Sequence, residues 1–176
     1  FHFNIRELPW TVKQKAIIEL FLHKDTKLMI LKGPAGTSKT MLSMYLGLTL
    51  LNMKRVSDVV LVRSAVESAD NKLGYLPGDL SEKIGVYLTP FNDKFAELIT
   101  EADNKRLDKD SRLKICPINF LRGLHFAVKF ICCDEAQNLT LREIHTLMSR
   151  MGEFSKMIIA GDSEQSDLPA GKSGFS

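Results

Sequence analysis

Short apolar runs alternate with amphipathic segments along most of this chain, and that alternation is its clearest structural signal. The runs lie at 28–31, 59–62, 113–116, 128–133 and 157–160. Continuous apolar runs rich in branched residues are typical of strands that are buried on both faces. Because such runs alternate here with helical patterns, the sequence predicts an α/β fold with a parallel sheet and helices on both faces.

Helix signals lie between these runs. Thr11 is a candidate N-cap for a first helix, in which apolar residues recur at helical spacing. A second helix is predicted over 40–52. Thr140 and Glu143 have the spacing of a capping box, which predicts a further helix over 141–150.

The middle of the chain has a less regular pattern. Its glycines and proline predict a loop over 63–79. The stretch 81–100 is helical by pattern, with interruptions expected at Gly85 and Pro90. The strongly charged and polar stretch 102–111 is predicted to be a surface loop or the tip of a hairpin.

The segment between the first apolar run and the second predicted helix has the composition of a phosphate-binding loop. It reads Gly33-Pro34-Ala35-Gly36-Thr37-Ser38-Lys39-Thr40. A strand, a glycine-bearing loop, a Lys-Thr pair and a helix are the parts of a P-loop, in which backbone N–H groups and the helix N-terminus face an anion. We expect Lys39 to reach the β- and γ-phosphates and the Thr40 hydroxyl to bind Mg²⁺. The alternative is an ordinary Gly/Pro turn.

One position departs from the P-loop pattern. Ser38 occupies the place before the lysine where glycine is usual. Its Cβ is expected to strain the backbone or to crowd the phosphate.

Two acids follow directly on the apolar run at 128–133. Asp134 is placed as the aspartate of a Walker B motif is, and we expect it to bind Mg²⁺ across from Thr40. Glu135 is suited to orient and deprotonate an attacking water molecule. The alternative is that the two acids lie in a solvated turn before a helix, and the upstream P-loop argues against this alternative.

Two glutamines are further candidates. Gln165 ends the stretch Gly161–Gln165 beyond the last apolar run, where a glutamine can sense the γ-phosphate or position water. Gln14, on the first predicted helix, can read the edges of adenine with its amide. A plain turn and an exposed helix residue are the respective alternatives.

Composition and charge narrow the classes of protein. The chain has 176 residues, 44% hydrophobic and 26% charged, as expected of one soluble domain. No apolar run approaches the roughly 20 residues that a membrane helix needs, and no signal peptide is evident, so a cytoplasmic location without membrane contact is expected. The net charge of +3 permits nucleic-acid binding without arguing for it. Because the chain begins with Phe1, we expect it to be part of a longer protein.

Cysteine usage fits a reducing compartment. Cys132 and Cys133 are adjacent within an apolar run, and Cys116 is isolated. No C-x-x-C spacing occurs, so we expect the three to be small buried apolar residues rather than metal ligands or disulfide partners.

The order of these motifs resembles the core of superfamily 1 helicases, and it resembles the PhoH family of P-loop ATPases more closely. The match covers nearly the whole chain. The stretch Leu-Gly-Tyr-Leu-Pro-Gly-Asp-Leu at 73–80 is especially diagnostic, since generic helicases lack it. The strongest matching stretches are 61–67, 72–84, 134–140, 149–152 and 161–169.

This resemblance implies a RecA-like P-loop NTPase fold, with 1–176 forming a single domain that lacks the C-terminal end of the family domain. It implies ATP and Mg²⁺ as ligands, with Lys39, Glu135 and Gln165 as the catalytic residues. It also implies an ATPase associated with RNA metabolism, proposed to unwind RNA and often assembled as a ring-shaped homo-oligomer. In this family context Arg63 is expected near a strand end, facing nucleic acid or the ATP site. Arg150 is a candidate arginine finger for a neighbouring subunit, or a cation at a helix C-terminus.

Several positions depart from the family pattern. Besides Ser38, Ser64 stands where proline is common, and Leu124-His125 stands where the family usually has Arg-Thr. A C-terminal motif of the Asp-Val-Val-Arg-His type, whose arginine is another candidate finger, is absent from this sequence. Such divergence would suit a phage-borne copy acting in the host cytoplasm.

Three functions remain open on the sequence. The leading hypothesis is an ATP hydrolase coupled to RNA or single-stranded DNA. A nucleotide-binding regulator with little or no hydrolysis is the alternative that Ser38 and the absent arginine favour. A P-loop kinase is disfavoured by the pair Asp134-Glu135 and by the lack of an arginine-rich lid.

Overall fold

The structure is a computed structural model that describes residues 2–64, 91–169 and 171–175. The loop predicted over 63–79 therefore lies almost entirely outside the described residues, and so does the first half of the interrupted helix predicted over 81–100, whose second half is helical at 91–98. The diagnostic stretch 73–80 lies outside them entirely.

A parallel sheet forms the centre of the described part of the chain. Its strands are β1 (Leu28–Lys32), β2 (Asp58–Arg63), β3 (Leu113–Pro117), β4 (Lys129–Cys133) and β5 (Lys156–Gly161). Their order across the sheet is β1-β5-β4-β2-β3, and every pairing is parallel. All five predicted strands are confirmed, within a residue or two at their ends.

Successive strand residues contribute to two different hydrophobic clusters, as the alternation of side chains in a strand requires. Val59, Phe130 and Ile158 belong to one cluster, whereas their neighbours Val60 and Ile131 belong to the other. The sheet is therefore covered on both faces, and the predicted α/β architecture is confirmed.

Helices supply the rest of both clusters. The first face is covered by α1 (Val12–Leu22), α2 (Lys39–Asn52), a helical segment at 91–98 and α3 (Glu101–Lys109). The second face is covered by α4 (Leu141–Ser149), together with 3-10 turns at Ile118–Phe120 and Ala136–Asn138.

The starts of α1 and α4 and the packing of α2 follow from their sequences. Thr11 and Thr140 each cap a helix, as predicted, and both do so through a complete capping box, which was predicted for Thr140 alone. Helix α2 packs tightly on the sheet at Gly47, where a Cβ would lie 2.8 Å from the ring of Phe130. This contact fixes the helix that follows the P-loop against the centre of the sheet.

The prediction of a surface loop over 102–111 is wrong, because most of this stretch forms α3. Thr100 accepts a hydrogen bond from the N–H of Asp103 at 3.2 Å, which caps the helix. Nζ of Lys105 forms a salt bridge of 2.6 Å with Oε1 of Glu101, four residues earlier in the helix. Acids in the first turn and bases in the last also suit the helix dipole. Only a narrow stripe that includes Leu107 is buried, so the sequence is polar almost all round.

The expectations about cysteine and membrane segments can also be compared with the structure. All three cysteines are buried, as predicted, and burial raises the pKa of the Cys132 thiol well above its usual value. Among the helices of the described ranges, none is long and apolar enough to cross a bilayer.

Candidate nucleotide-binding site

Strand order brings the predicted motifs to one edge of the sheet. Strand β5 lies between β1 and β4, so the carboxyl ends of these three strands are neighbours. The P-loop follows β1, Asp134 follows β4 and Asp162 follows β5. Ligands of open α/β sheets bind at the carboxyl ends of the strands, so this edge is the expected place for a site.

The P-loop contains two residues, two positions apart, that depart from ordinary backbone geometry. Gly36 has a φ of +76°, and Ser38 has φ 60° and ψ 25° at the N-cap of α2. A Cβ on Gly36 would contact nothing within 4 Å, so backbone conformation alone favours glycine there. The left-handed conformation costs an ordinary residue roughly 1–2 kcal/mol. The expected backbone strain at Ser38 is therefore present.

Lys39 is turned back onto its own loop. Its Nζ donates hydrogen bonds to the carbonyls of Gly33 at 2.7 Å and Pro34 at 2.8 Å. The hydroxyl of Thr37 donates to the Pro34 carbonyl as well, at 2.8 Å. The ammonium group thus sits among the loop oxygens, and contact with a phosphate requires it to exchange these bonds.

The two predicted Mg²⁺ ligands are brought together. The Thr40 hydroxyl donates to Oδ2 of Asp134 at 2.5 Å, although 94 positions separate them in the sequence. Asp134 is only 7% exposed, and its other oxygen accepts the N–H of Glu135 at 3.0 Å. A hydroxyl and a carboxylate at a P-loop form a donor set that suits Mg²⁺, which needs few protein ligands when phosphates supply the rest.

Glu135 is held by a neighbour that the sequence analysis did not single out. Its backbone has a φ of +53°, and its carboxylate accepts a hydrogen bond from the Gln137 amide at 2.5 Å. Gln137 is buried, and its side-chain oxygen Oε1 accepts the N–H of Asp162 at 3.0 Å. Glycine suits position 161, since a Cβ on Gly161 would lie 2.8 Å from Oε1 of Gln137. Gln137 therefore links Glu135 to the end of β5.

Asp162 belongs to the predicted stretch Gly161–Gln165 at this edge, but the sequence analysis assigned it no role of its own. Its carboxylate accepts the N–H of Ala35 in the P-loop at 3.1 Å and the N–H of Glu164 at 3.0 Å. Asp162 is 8% exposed, and both bonds are partly buried. The sequence did show an acid directly after an apolar strand. The contact of Asp162 with the P-loop, however, depends on β5 lying beside β1. Gln165, predicted from the same motif, is exposed, and its backbone N–H donates to the Asp162 carbonyl at 3.2 Å.

Gln14 and the P-loop line one cleft of about 680 Å³ between α1, β1 and the start of α2. The side-chain oxygen Oε1 of Gln14 accepts the N–H of Thr11 at 2.9 Å, as part of the capping box. Its NH₂ group is the part of the amide that this bond does not use. The placement of Gln14 beside the phosphate loop agrees with the prediction, while contact with adenine stays a prediction.

The two predicted arginines lie in different places. Arg63 ends β2, with its guanidinium 5.4 Å from the ring centre of Phe91. Arg150 is the C-cap of α4, and its carbonyl accepts the N–H of Phe126, which precedes β4. Because α4 begins near the carboxyl edge and ends beside this pre-β4 segment, Arg150 lies at the amino edge of the sheet. It is a helix C-cap, as one of its two interpretations had it, and the structure does not bring it to its own P-loop.

A comparison with known proteins agrees with this geometry. The family model described as PhoH-like protein matches residues 8–176. The chain belongs to the PhoH-like protein family. This is a family of P-loop ATP-binding proteins, so the predicted family membership is confirmed over most of the chain.

Individual relatives show the same extent of similarity. The chain is 39% identical over 144 residues to a PhoH-like protein of Bacillus subtilis, which covers 81% of this chain and 45% of that protein. It is 36% identical over 164 residues to a PhoH-like protein of Mycobacterium tuberculosis, covering 93% of this chain and 46% of the relative. It is 31% identical over 150 residues to Protein PhoH of Escherichia coli, covering 84% and 42% respectively. The chain thus spans just under half the length of these PhoH-like relatives.

Proposed function

We propose that the chain is a Mg²⁺-dependent ATP hydrolase whose turnover is coupled to RNA or single-stranded DNA. The contact between Thr40 and Asp134 carries the hydrolase part of this proposal. It unites the hydroxyl of a P-loop with a buried carboxylate at the end of β4, which lies two strands away from β1 in the sheet. Membership of an ATP-binding family supports the choice of nucleotide.

Each residue of the site has a role that its position supports. Thr40 and Asp134 would hold Mg²⁺, which when bound neutralises charge on the β- and γ-phosphates. Lys39 would turn from the Gly33 and Pro34 carbonyls to the phosphates. Glu135 would accept a proton from the attacking water while the Gln137 amide orients its carboxylate. Catalysis of this kind rests on positioning and charge stabilisation.

The test is steady-state ATP hydrolysis with and without single-stranded RNA. The variant Glu135→Gln should retain ATP binding and lose turnover, whereas Lys39→Ala should lose tight binding. Glu97→Gln is a matched control, because Glu97 is an exposed partner of Lys94 on the helical segment at 91–98. Wild-type turnover in Glu135→Gln would remove Glu135 as the base. Turnover that RNA and single-stranded DNA leave unchanged would remove the coupling.

A nucleotide-binding regulator is the second candidate, and the state of the P-loop favours it. Lys39 is bonded to loop carbonyls, Asp162 occupies the N–H of Ala35, and Ser38 is strained. This candidate predicts tight ATP binding, measured by titration calorimetry, with turnover at the background rate in the presence and absence of RNA. The same pair of measurements therefore separates the two functions.

We also propose that the protein acts as a ring-shaped homo-oligomer. Unwinding normally requires a second RecA-like unit, and a neighbouring copy is one source of it. Arg150 lies away from its own P-loop, so a neighbour's ATP site is where this arginine could act as a finger, and Arg63 is the other candidate. Light scattering coupled to size exclusion, with ATP and Mg²⁺ present, should detect an assembly. A strict monomer at micromolar concentration would contradict the proposal.

A further inference from the structure

A second cleft, of about 320 Å³, opens at the amino edge of the sheet, opposite the P-loop. It lies among the turn after α1, the turn after α2 and the start of β5. We call it the basic cleft. Its lining residues are Lys24, Asp25, Lys27, Arg55, Val56, Phe154, Ser155 and Lys156.

Positive charge is concentrated in the basic cleft. Four of its lining residues are cations, and none of the four forms a salt bridge with any residue that the structure describes. Asp25 is the one acid among the described lining residues, and its carboxylate lies 3.7 Å from His23. Burial, followed by the nearby charges of Arg55 and Lys27, lowers the pKa of Lys156 to about 8. Like charges that repel one another in this way favour an anionic partner.

Two of the four cations hold the cleft together. Nζ of Lys156 donates to the carbonyls of Phe21 at 2.8 Å, His23 at 2.7 Å and Thr26 at 2.5 Å. Arg55 donates to the carbonyl of Leu22 at 2.5 Å. These bonds satisfy the C-terminal end of α1 and fix the cleft wall. The side chains of Lys24 and Lys27 are exposed, so they remain available to a ligand.

An aromatic ring stands at the rim of the same cleft. Phe154 is 70% exposed and has a φ of +57°, a conformation that costs a bulky residue of order 1–3 kcal/mol. The residues on either side of it are anchored. The Glu153 carbonyl accepts the N–H of Val128 at 2.8 Å, and the Ser155 hydroxyl donates to the Phe126 carbonyl at 2.5 Å. The fold thus holds the ring out to solvent beside the cations.

We propose that the basic cleft binds single-stranded nucleic acid, with phosphates on Lys24 and Lys27 and a base stacked on Phe154. A basic groove with an exposed aromatic ring is the combination that binds single strands without reading their sequence. A duplex fits less well, because its bases are already stacked on one another. The inference rests on the proposed coupling to nucleic acid and gives that partner a surface. Strand β5 joins this surface to the ATP site, since it runs from Lys156 to Gly161, next to Asp162.

The test is the affinity of the purified protein for a fluorescein-labelled single-stranded RNA of 12 uridines, measured by anisotropy at several salt concentrations. Phe154→Leu should raise the Kd at least fivefold, since a stacked base contributes about 1–3 kcal/mol. Phe154→Tyr should restore the affinity. The double variant Lys24→Gln/Lys27→Gln should reduce the slope of log Kd against log salt by about 1.4, or about 0.7 for each lost phosphate contact.

Matched variants elsewhere on the surface control for general effects. Phe120→Leu removes another exposed ring, 68% exposed, at the carboxyl side of the sheet. Lys105→Gln/Lys109→Gln removes two exposed cations from α3. Neither variant should change RNA affinity more than twofold, and circular dichroism melts should show that all variants fold.

The outcomes separate this inference from the function on which it rests. Wild-type RNA affinity in both basic-cleft variants, or a loss confined to Phe120→Leu, would overturn the inference while leaving nucleic-acid coupling intact. A protein that binds neither this RNA nor a single-stranded DNA of the same length, and whose ATP turnover neither of them stimulates, would overturn both. An acidic polyglutamate peptide that binds the wild-type cleft when RNA does not would assign the surface to a protein partner and overturn the proposal.

Discussion

The strained serine of the P-loop leads to a stability prediction that can be worked from the backbone. Ser38 has φ 60° and ψ 25°, and its side chain makes no capping hydrogen bond. Ser38→Gly therefore removes the left-handed strain of roughly 1–2 kcal/mol without breaking a cap. The added freedom of glycine in the unfolded chain offsets about 0.4–1 kcal/mol. We expect a net gain of about 0.5–1 kcal/mol in the free energy of unfolding.

The opposite kind of substitution at Gly36, two positions before Ser38, provides a matched test. Gly36 has a φ of +76° with open space around its Cβ position, so Gly36→Ala should cost about 0.5–1 kcal/mol through backbone strain alone. Ser149→Gly is the control for serine replacement, because Ser149 lies in α4. That change should lose stability, since glycine is a poor helix former.

Urea unfolding followed by circular dichroism measures all three variants. For a domain of this size, 1 kcal/mol corresponds to roughly 2–4 °C in the melting temperature, and the urea midpoint should move in the same direction. The reasoning is refuted if Ser38→Gly loses as much stability as Ser149→Gly, or if Gly36→Ala unfolds at the wild-type midpoint.

Three further predictions concern the site and the sheet. Gly161→Ala should displace the Gln137 amide, because the new Cβ would lie 2.8 Å from Oε1 of Gln137. The variant should therefore have both a lower melting temperature and a lower ATP turnover. Asp162→Ala should destabilise the protein by about 1–2 kcal/mol, because it removes the carboxylate that accepts the N–H groups of Ala35 and Glu164, and urea unfolding would show it. Burial raises the pKa of the Asp58 carboxyl, but Lys129, Ser57 and Lys114 together outweigh burial and hold that pKa below 3.8. The stability from Asp58 should thus be present above about pH 3.8 and fade as pH falls through the lower folded pKa. Unfolding of wild type and Asp58→Asn should converge in acid, and a constant difference down to pH 2 would contradict this.

Most of the fold follows from local patterns. The five strands are visible as apolar runs because strands covered on both faces have no polar side. Capping boxes at Thr11 and Thr140 mark helix starts for the same local reason, since each is completed within four residues. The sequence failed at α3, where capping and ion pairs within one helix stabilise a segment that buries little.

The site divides along the same line. The P-loop could be recognised because its glycines, lysine and threonine lie within one short segment that dictates its own shape. Asp134 could be placed only by analogy with a strand-end acid, and the structure then brought it to Thr40. The positions of Asp162 and Gln137 depend on which strands are neighbours.

What this sequence determined by itself is the set of strands, the helices other than α3, the two apolar faces of the sheet and the phosphate-binding segment. These depend on side-chain period, capping and backbone freedom, all of which act over a few residues. Only the tertiary structure decided that β5, the last strand described, lies beside β1, the first. That order places Asp162 on the Ala35 N–H and anchors Lys156 beside the end of α1, because contacts between distant segments depend on the free energy of the whole packed chain.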